Sequence, residues 1–291
     1  MACKTQTTDA KRHIRVNIIM PSPNIEGTLR GYIIPIGGAE EKLDNPEILS
    51  KFVDLCGGKD AVITIIPTAS RLDDTGSRYQ NIFEEIGVKK TYSLPIEERS
   101  DAQNPDYVAT LEKSTGIFIT GGNQLRLSTI LGGTPIAQTI RQLNAQGVHY
   151  AGTSAGAAII SQHMITGGST GTVPTEGGVN LAPGMGLINT IVVDQHFNER
   201  NRLARLLSAV SYNPFLTGVG LDEDTAAFID GNNVFTVVGS GAITVVDPSD
   251  IEYSSMAAAN TGDALTLLNL KLHILASGAR YDIGERKGYV S

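Results

Sequence analysis

The feature that most constrains this chain is a regular strand–helix alternation in its first half. A short, continuous apolar run is followed by a Gly- or Pro-rich step and then by a helix-length stretch. Residues 31–36 (GYIIPI) run into Gly37-Gly38-Ala39-Glu40, residues 61–66 (AVITII) into Pro67-Thr68-Ala69-Ser70, and residues 116–120 (GIFIT) into Gly121-Gly122-Asn123-Gln124. Runs that are apolar throughout, rather than alternating, are what strands covered on both faces require. Helices are expected at 46–55, 76–86, 104–114, 124–131 and 134–146, with a further strand at 89–94. Strand–helix alternation of this kind predicts an α/β fold with a doubly wound, mostly parallel sheet. Such sheets bind ligands at the carboxyl ends of their strands, where these glycine-rich steps fall.

Beyond residue 160 the pattern loosens. A strand is expected at 187–193 and a helix at 198–211, with Leu203, Leu206, Leu207 and Val210 as its buried stripe. Residues 216–221, 226–230, 234–238 and 242–246 read as C-terminal strands and hairpins that finish the same sheet. Residues 166–180, rich in glycine, read as a long loop, and 265–275 fits a strand or a helix. With no repeat or convincing linker, residues 30–291 are expected to form one domain behind a loosely ordered extension, residues 1–29. The extension's apolar cluster, 16–20, is too short for a secretory core and is stopped by Pro21 and Pro23. A net charge of −7 over 291 residues argues against a nucleic-acid partner or an anionic membrane surface. The two cysteines give no disulfide framework, which is compatible with the cytoplasm. No G-x-G-x-x-G or Walker sequence points to a dinucleotide or phosphate cofactor, and no metal is expected.

The next motif carries chemistry. Gly152-Thr153-Ser154-Ala155-Gly156 fits G-x-S-x-G, between an apolar strand end and an Ala-rich run read as a helix that His163 ends. In that setting the serine sits on a strained strand-to-helix turn, beside free helical N–H groups that favour an oxyanion. The same five residues also fit an ordinary helix start, so the serine needs a base and an orienting acid. His13, His149, His163 and His273 lie in the tail, in the elbow strand, at the far end of the elbow helix and in the C-terminal run. His196 follows the 191–193 strand directly, on the edge of the sheet where the elbow lies. Asp222, Glu223 and Asp224 all follow the strand at 216–221, and topology does not choose among them. The order serine, histidine, acid excludes the usual α/β-hydrolase arrangement.

Together, Thr120-Gly121-Gly122-Asn123-Gln124, the elbow, Asp194-Gln195-His196-Phe197 and Gly220-Leu221-Asp222-Glu223-Asp224-Thr225-Ala226 resemble the cyanophycinases, serine exopeptidases related to peptidase E. The resemblance runs from about residue 31 to the C-terminus. It implies a class I glutamine amidotransferase-like (flavodoxin-like) fold with serine in place of cysteine. It implies a triad of Ser154, His196 and Glu223, and an oxyanion hole from the main chain of Ala155 and of Gly121-Gly122. The implied substrate is cyanophycin, poly-aspartate with arginine on each side-chain carboxyl, cut to β-Asp-Arg dipeptides, and a homodimer is common among such enzymes. Arg200, Arg202 and Arg205 would meet substrate carboxylates, although a regular helix cannot point all three one way. Asp194 would meet a guanidinium or amine, and Gln124 and Gln195 the substrate backbone. The alternatives are a peptidase E-like aspartyl dipeptidase and a non-catalytic small-ligand binding protein on the same fold.

Overall fold

The computed structural model describes residues 20–290; His13, Cys3 and the first nineteen residues of the proposed extension lie outside them. The first half runs β1 (Ile33–Ile36), α1 (Glu47–Leu55), β2 (Val62–Ile66), α2 (Thr75–Ile86), β3 (Lys90–Ser93) and α3 (Pro105–Leu111). It continues with β4 (Gly116–Ile119), α4 (Gln124–Leu131), α5 (Pro135–Ala145), β5 (His149–Thr153) and α6 (Ala155–Ala158). These five strands pair in parallel in the order β1-β5-β4-β2-β3. Local chemistry sets the helix starts: Asn104 and Thr134 cap α3 and α5 with Pro at the first helical position, and Asn123 caps α4.

Strand periodicity explains why helices cover both faces. Ile33, Ile66, Ile117, Ile119 and Tyr150 join one core with α4, α5 and α6. Their strand neighbours Ile34, Ile63, Ile65, Phe118 and Ala151 join another with α1 and α2. Successive side chains point to opposite faces, so a strand buried on both must be apolar at every position. Phe118 is fully buried there, its ring 4.8 Å from that of Tyr79 and 5.3 Å from that of Phe83.

The second half departs from the single sheet expected. It comprises β6 (His163–Gly168), β7 (Val179–Pro183), β8 (Ile191–Gln195), α7 (Leu203–Tyr212), β9 (Thr217–Leu221), β10 (Thr225–Ile229), β11 (Val234–Gly239) and β12 (Ala242–Asp247). The two-residue strands β13 (Tyr253–Ser254) and β14 (Leu267–Leu268) pair with each other, and β15 (Lys271–Ala276), β16 (Arg280–Asp282) and β17 (Lys287–Tyr289) close the chain. Strands β10, β11, β16 and β17 extend the first sheet, antiparallel, beyond β1. A separate four-stranded sheet has the order β15-β12-β9-β8. The short connections β9–β10 and β11–β12, which read as hairpins in sequence, are corners where the chain passes from one sheet to the other. Val219, Leu221, Ile243 and Val245 of the second sheet share a core with Ala227, Phe235 and Val237 of the first, so burial between the sheets drives the switch.

Three local expectations are corrected. The elbow helix is one turn, ending at Ala158, and His163 begins β6 rather than ending a helix. The glycine-rich 166–180 stretch is partly strand, because β6 and β7 pair through Gly168 and Val179 with a bulge between Ile165 and Gly167. Helix α7 starts at Leu203, not Asn198, because His196 and Asn201 take left-handed backbone (φ 48° and 50°) that helical continuation forbids. The stability of the first sheet should be the most sensitive to its aromatic face. Phe118→Ala is expected to cost about 3–5 kcal/mol in urea denaturation.

Candidate active site

Ser154 follows β5 with φ 52° and ψ −106°, outside the regions open to an unstrained L-residue. Its N–H donates to the Ile36 carbonyl (2.9 Å), and its own carbonyl accepts from the N–H of Ala157 and Ala158 (3.0 Å each). The flanking glycines are needed sterically. A Cβ on Gly152 would lie 2.3 Å from the Gly156 oxygen, and one on Gly156 would lie 2.3 Å from the Ile119 oxygen. The elbow is therefore a tight wedge between β4, β5 and its own helix.

His196 approaches from the second sheet. Its Nε2 lies 2.9 Å from Ser154 Oγ, and its Nδ1 lies 2.6 Å from Glu223 Oε1. The three carboxylates after β9 thus divide by geometry. Asp222 accepts from the N–H of Asn198 and Ala242, Asp224 accepts from the Glu41 N–H and the Ser240 hydroxyl, and Glu223 alone reaches the imidazole. Burial pushes the His196 pKa below its usual value, the Glu223 hydrogen bond opposes that, and the positive charges of Arg200 and Arg202 add to the lowering. A neutral imidazole at pH 7 can accept the serine proton at Nε2 while donating from Nδ1 to the carboxylate.

The loop after β1 holds the histidine in place. The Gly37 carbonyl accepts from His196 N–H (2.9 Å), and the Gly38 carbonyl accepts from Asp224 N–H (2.8 Å). At Gly38, where φ is 106°, an added Cβ would fall 2.3 Å from the His196 ring. Gly121 lies against the serine on the other side, a Cβ there being 3.4 Å from that of Ser154. The main-chain N–H groups of Gly121, Gly122 and Ala155 have no backbone acceptor among the described residues. A pocket of about 400 Å³ opens over Ser154 and His196, walled by Gly121, Gly122, Glu40, Lys42 and Arg78.

Peptidase family S51 matches residues 33–237 of the chain, a span that contains Ser154, His196, Glu223 and the glycines packed against them. The chain belongs to that family. It is 46% identical over 256 residues to a cyanophycinase of Geminocystis herdmanii, covering 87% of this chain and 94% of that one. It is 43% identical to a cyanophycinase of Synechococcus elongatus, over 87% of this chain and 80% of the relative. A peptidase structure from an acI-B1 Actinobacterium shares the fold with a TM-score of 0.61 at 23% identity, covering 81% of this chain and 96% of that one.

In this S51 peptidase, the remaining polar residues singled out from sequence are not gathered at the pocket. Asp194 is fully buried, and both its oxygens are taken by Arg205, with Nε at 2.6 Å. Arg202 lies 3.4 Å from the same carboxylate and also donates to the Gln195 carbonyl. Asp194, Arg202 and Arg205 thus neutralise one another inside the protein, where an unpaired charge would be costly. Gln195 is buried with its Oε1 unpartnered, and Gln124 donates to the Ile165 carbonyl at 3.3 Å. Arg200 alone of the three arginines is exposed, with no ion pair among the described residues.

The sequence reading passed over Glu40. Its side chain is buried in the pocket wall, where it accepts from the Tyr79 hydroxyl (2.6 Å) and the Thr153 hydroxyl (2.5 Å) and pairs with Lys42 at 3.2 Å. A charged residue two positions after a glycine pair that ends a buried strand was the available signal. Among the described residues, no group of three His, Cys, Asp or Glu side chains converges as a metal site, and no helix is long and apolar enough to cross a membrane.

Three outcomes follow from the histidine's surroundings. A depressed pKa keeps the imidazole neutral to lower pH, so the acid limb of kcat/KM should have its midpoint below about 6.5. Arg200→Ala removes a lowering charge and should move that midpoint upward. Gly38→Ala should displace the ring and cut kcat about 100-fold, measured beside a thermal melt that reports any loss of folding.

Proposed function

We propose that this S51 peptidase is a cyanophycinase, a serine exopeptidase that releases β-Asp-Arg dipeptides from cyanophycin through an acyl-enzyme. The observation that carries the chemistry is the Ser154–His196–Glu223 relay at 2.9 and 2.6 Å on a strained elbow. The relatives named cyanophycinase, at 43–46% identity over most of the chain, support the substrate.

In this mechanism Ser154 Oγ attacks the scissile carbonyl as its proton passes to His196 Nε2. Glu223 keeps the Nδ1 proton in place and stabilises the imidazolium. The developing oxyanion is received by the unpaired N–H groups of Ala155 and the Gly121-Gly122 loop. His196 then protonates the leaving amine, so that the amide bond breaks and an ester to Ser154 remains. A water molecule, deprotonated by the same nitrogen, attacks the ester, and the proton returns to Ser154 as the acid leaves.

Within the same reading, the order β1-β5-β4-β2-β3 with the nucleophile after β5 is taken as a class I glutamine amidotransferase-like arrangement. Residues 30–291 are taken as one peptidase domain, and the working form as a cytoplasmic homodimer, open to sedimentation analysis. Ser154→Ala should abolish release of β-Asp-Arg from cyanophycin, by roughly four to six orders of magnitude, with an unchanged circular-dichroism spectrum. Glu223→Gln should cost about two to four orders of magnitude in kcat with little change in KM. Asp-Leu offered beside cyanophycin separates this activity from an α-aspartyl dipeptidase. Full activity in the serine variant would refute the assignment.

A further inference from the structure

Glu40 stands where three parts of the site meet. It follows Gly37-Gly38-Ala39, the loop whose carbonyls hold His196 and Asp224. The residue is 3% exposed, and its two oxygens accept from different elements. Oε1 accepts from the hydroxyl of Tyr79 in α2 (2.6 Å), and Oε2 from that of Thr153, the last residue of β5 (2.5 Å). Thr153 is itself buried, and Ser154 is the next residue of the chain. The Tyr79 ring packs in turn on Phe118 of β4, 4.8 Å away. Lys42, on the pocket wall, balances the charge, its Nζ lying 3.2 Å from Oε1 and 2.8 Å from the Glu40 carbonyl.

A carboxylate is a costly choice for such a place. It must be fully paired to be buried at all, and an apolar side chain of similar size would fill the wall at equal or lower cost. Packing therefore does not account for Glu40. What a carboxylate adds is direction, because a charge-assisted hydrogen bond fixes its donor more firmly than a neutral one. The donor fixed here is Thr153, and the residue after it is strained. At φ 52° and ψ −106°, Ser154 holds its turn only because its surroundings impose it. The Ile36 carbonyl holds its N–H, and the N–H groups of Ala157 and Ala158 hold its carbonyl. The Thr153–Glu40 bond secures the residue from which the turn departs. It also ties that turn to the loop clasping His196, since Glu40 lies two positions after Gly38.

We propose that Glu40 and Thr153 are positioning residues, which keep Ser154 Oγ at His196 Nε2 by joining the elbow to the loop that holds the histidine. The inference rests on the reading of Ser154 as the nucleophile. Both residues act through Ser154, on the rate of its reaction rather than on affinity.

The test uses a fluorophosphonate. Ser154 Oγ forms the bond to phosphorus, fluoride leaves and His196 takes the proton, so the labelling rate reads the serine without any peptide substrate. Thr153→Val, near-isosteric but lacking the hydroxyl, is expected to slow labelling and to lower kcat on cyanophycin about tenfold, with KM changed less than about twofold. Thr153→Ser, which restores the hydroxyl, recovers most of both rates. Glu40→Gln is expected to lose a similar factor. The double variant Glu40→Gln/Thr153→Val loses no more than either alone, because both remove one bond. Thermal melts report folding throughout, and the two Thr153 variants decide the matter if Glu40→Gln does not fold. The positioning role is overturned by unchanged labelling in Thr153→Val, by equal losses in Thr153→Val and Thr153→Ser, or by losses that multiply to about a hundredfold in the double variant. Wild-type protein that is labelled at Ser154 yet leaves cyanophycin uncut overturns the substrate reading instead, so the two failures are distinct.

Discussion

The site depends on a pair of main-chain hydrogen bonds at the end of β1. Gly37 and Gly38 belong to the sheet that carries the nucleophile, and their carbonyls accept from His196 and Asp224, which follow strands of the other sheet. Those bonds tie His196 and the turn that bears Glu223 to the scaffold of Ser154. Only a residue without Cβ can lie this close to the imidazole ring. Ser154, His196 and Glu223 are thus brought together across two sheets, and their 2.6–2.9 Å spacings follow from backbone contact as well as from side-chain attraction.

Local strain is concentrated where the chemistry is. Ser154, His196 and Asp224 all hold positive φ without being glycine, each at a cost of order 1–3 kcal/mol. The surroundings over-determine them: Ile36, Gly37 and Gly38 carbonyls take the N–H of all three. Buried charge is handled by the same economy. Asp194, in the strand that leads to His196, is paired with Arg205 and Arg202, and Glu40 is held by Tyr79, Thr153 and Lys42. Neither carboxylate faces solvent, so both fix structure on which the reacting groups rest.

Much of the first half was legible in the sequence because its signals are local. Continuous apolar runs mean strands buried on both faces, and Gly152 and Gly156 mark a turn too tight for side chains. The pairing inside the basic cluster was not legible, for a physical reason. Spacing along a chain says where Arg202 and Arg205 attach, not that Asp194 would be underneath to receive them. The helix boundary failed similarly, because nothing in Asn198–Arg202 announces the left-handed backbone at His196 and Asn201. The choice of Glu223 over Asp222 and Asp224 came from family likeness, since three adjacent carboxylates differ only in where the turn aims them.

By itself, then, the sequence determined the parallel sheet, the tight strand-to-helix turn at Ser154 and the set of polar groups at the strand ends, all of which are encoded in periodicity and short-range sterics. Tertiary structure decided that the strands after residue 190 divide between two sheets, that Glu223 faces His196, and that Arg200 alone of its cluster remains exposed. The reason is that these outcomes depend on contacts between residues far apart in the chain. Burial of one sheet against the other, and the approach of Gly38 to an imidazole more than a hundred and fifty residues away, have no counterpart in any local pattern.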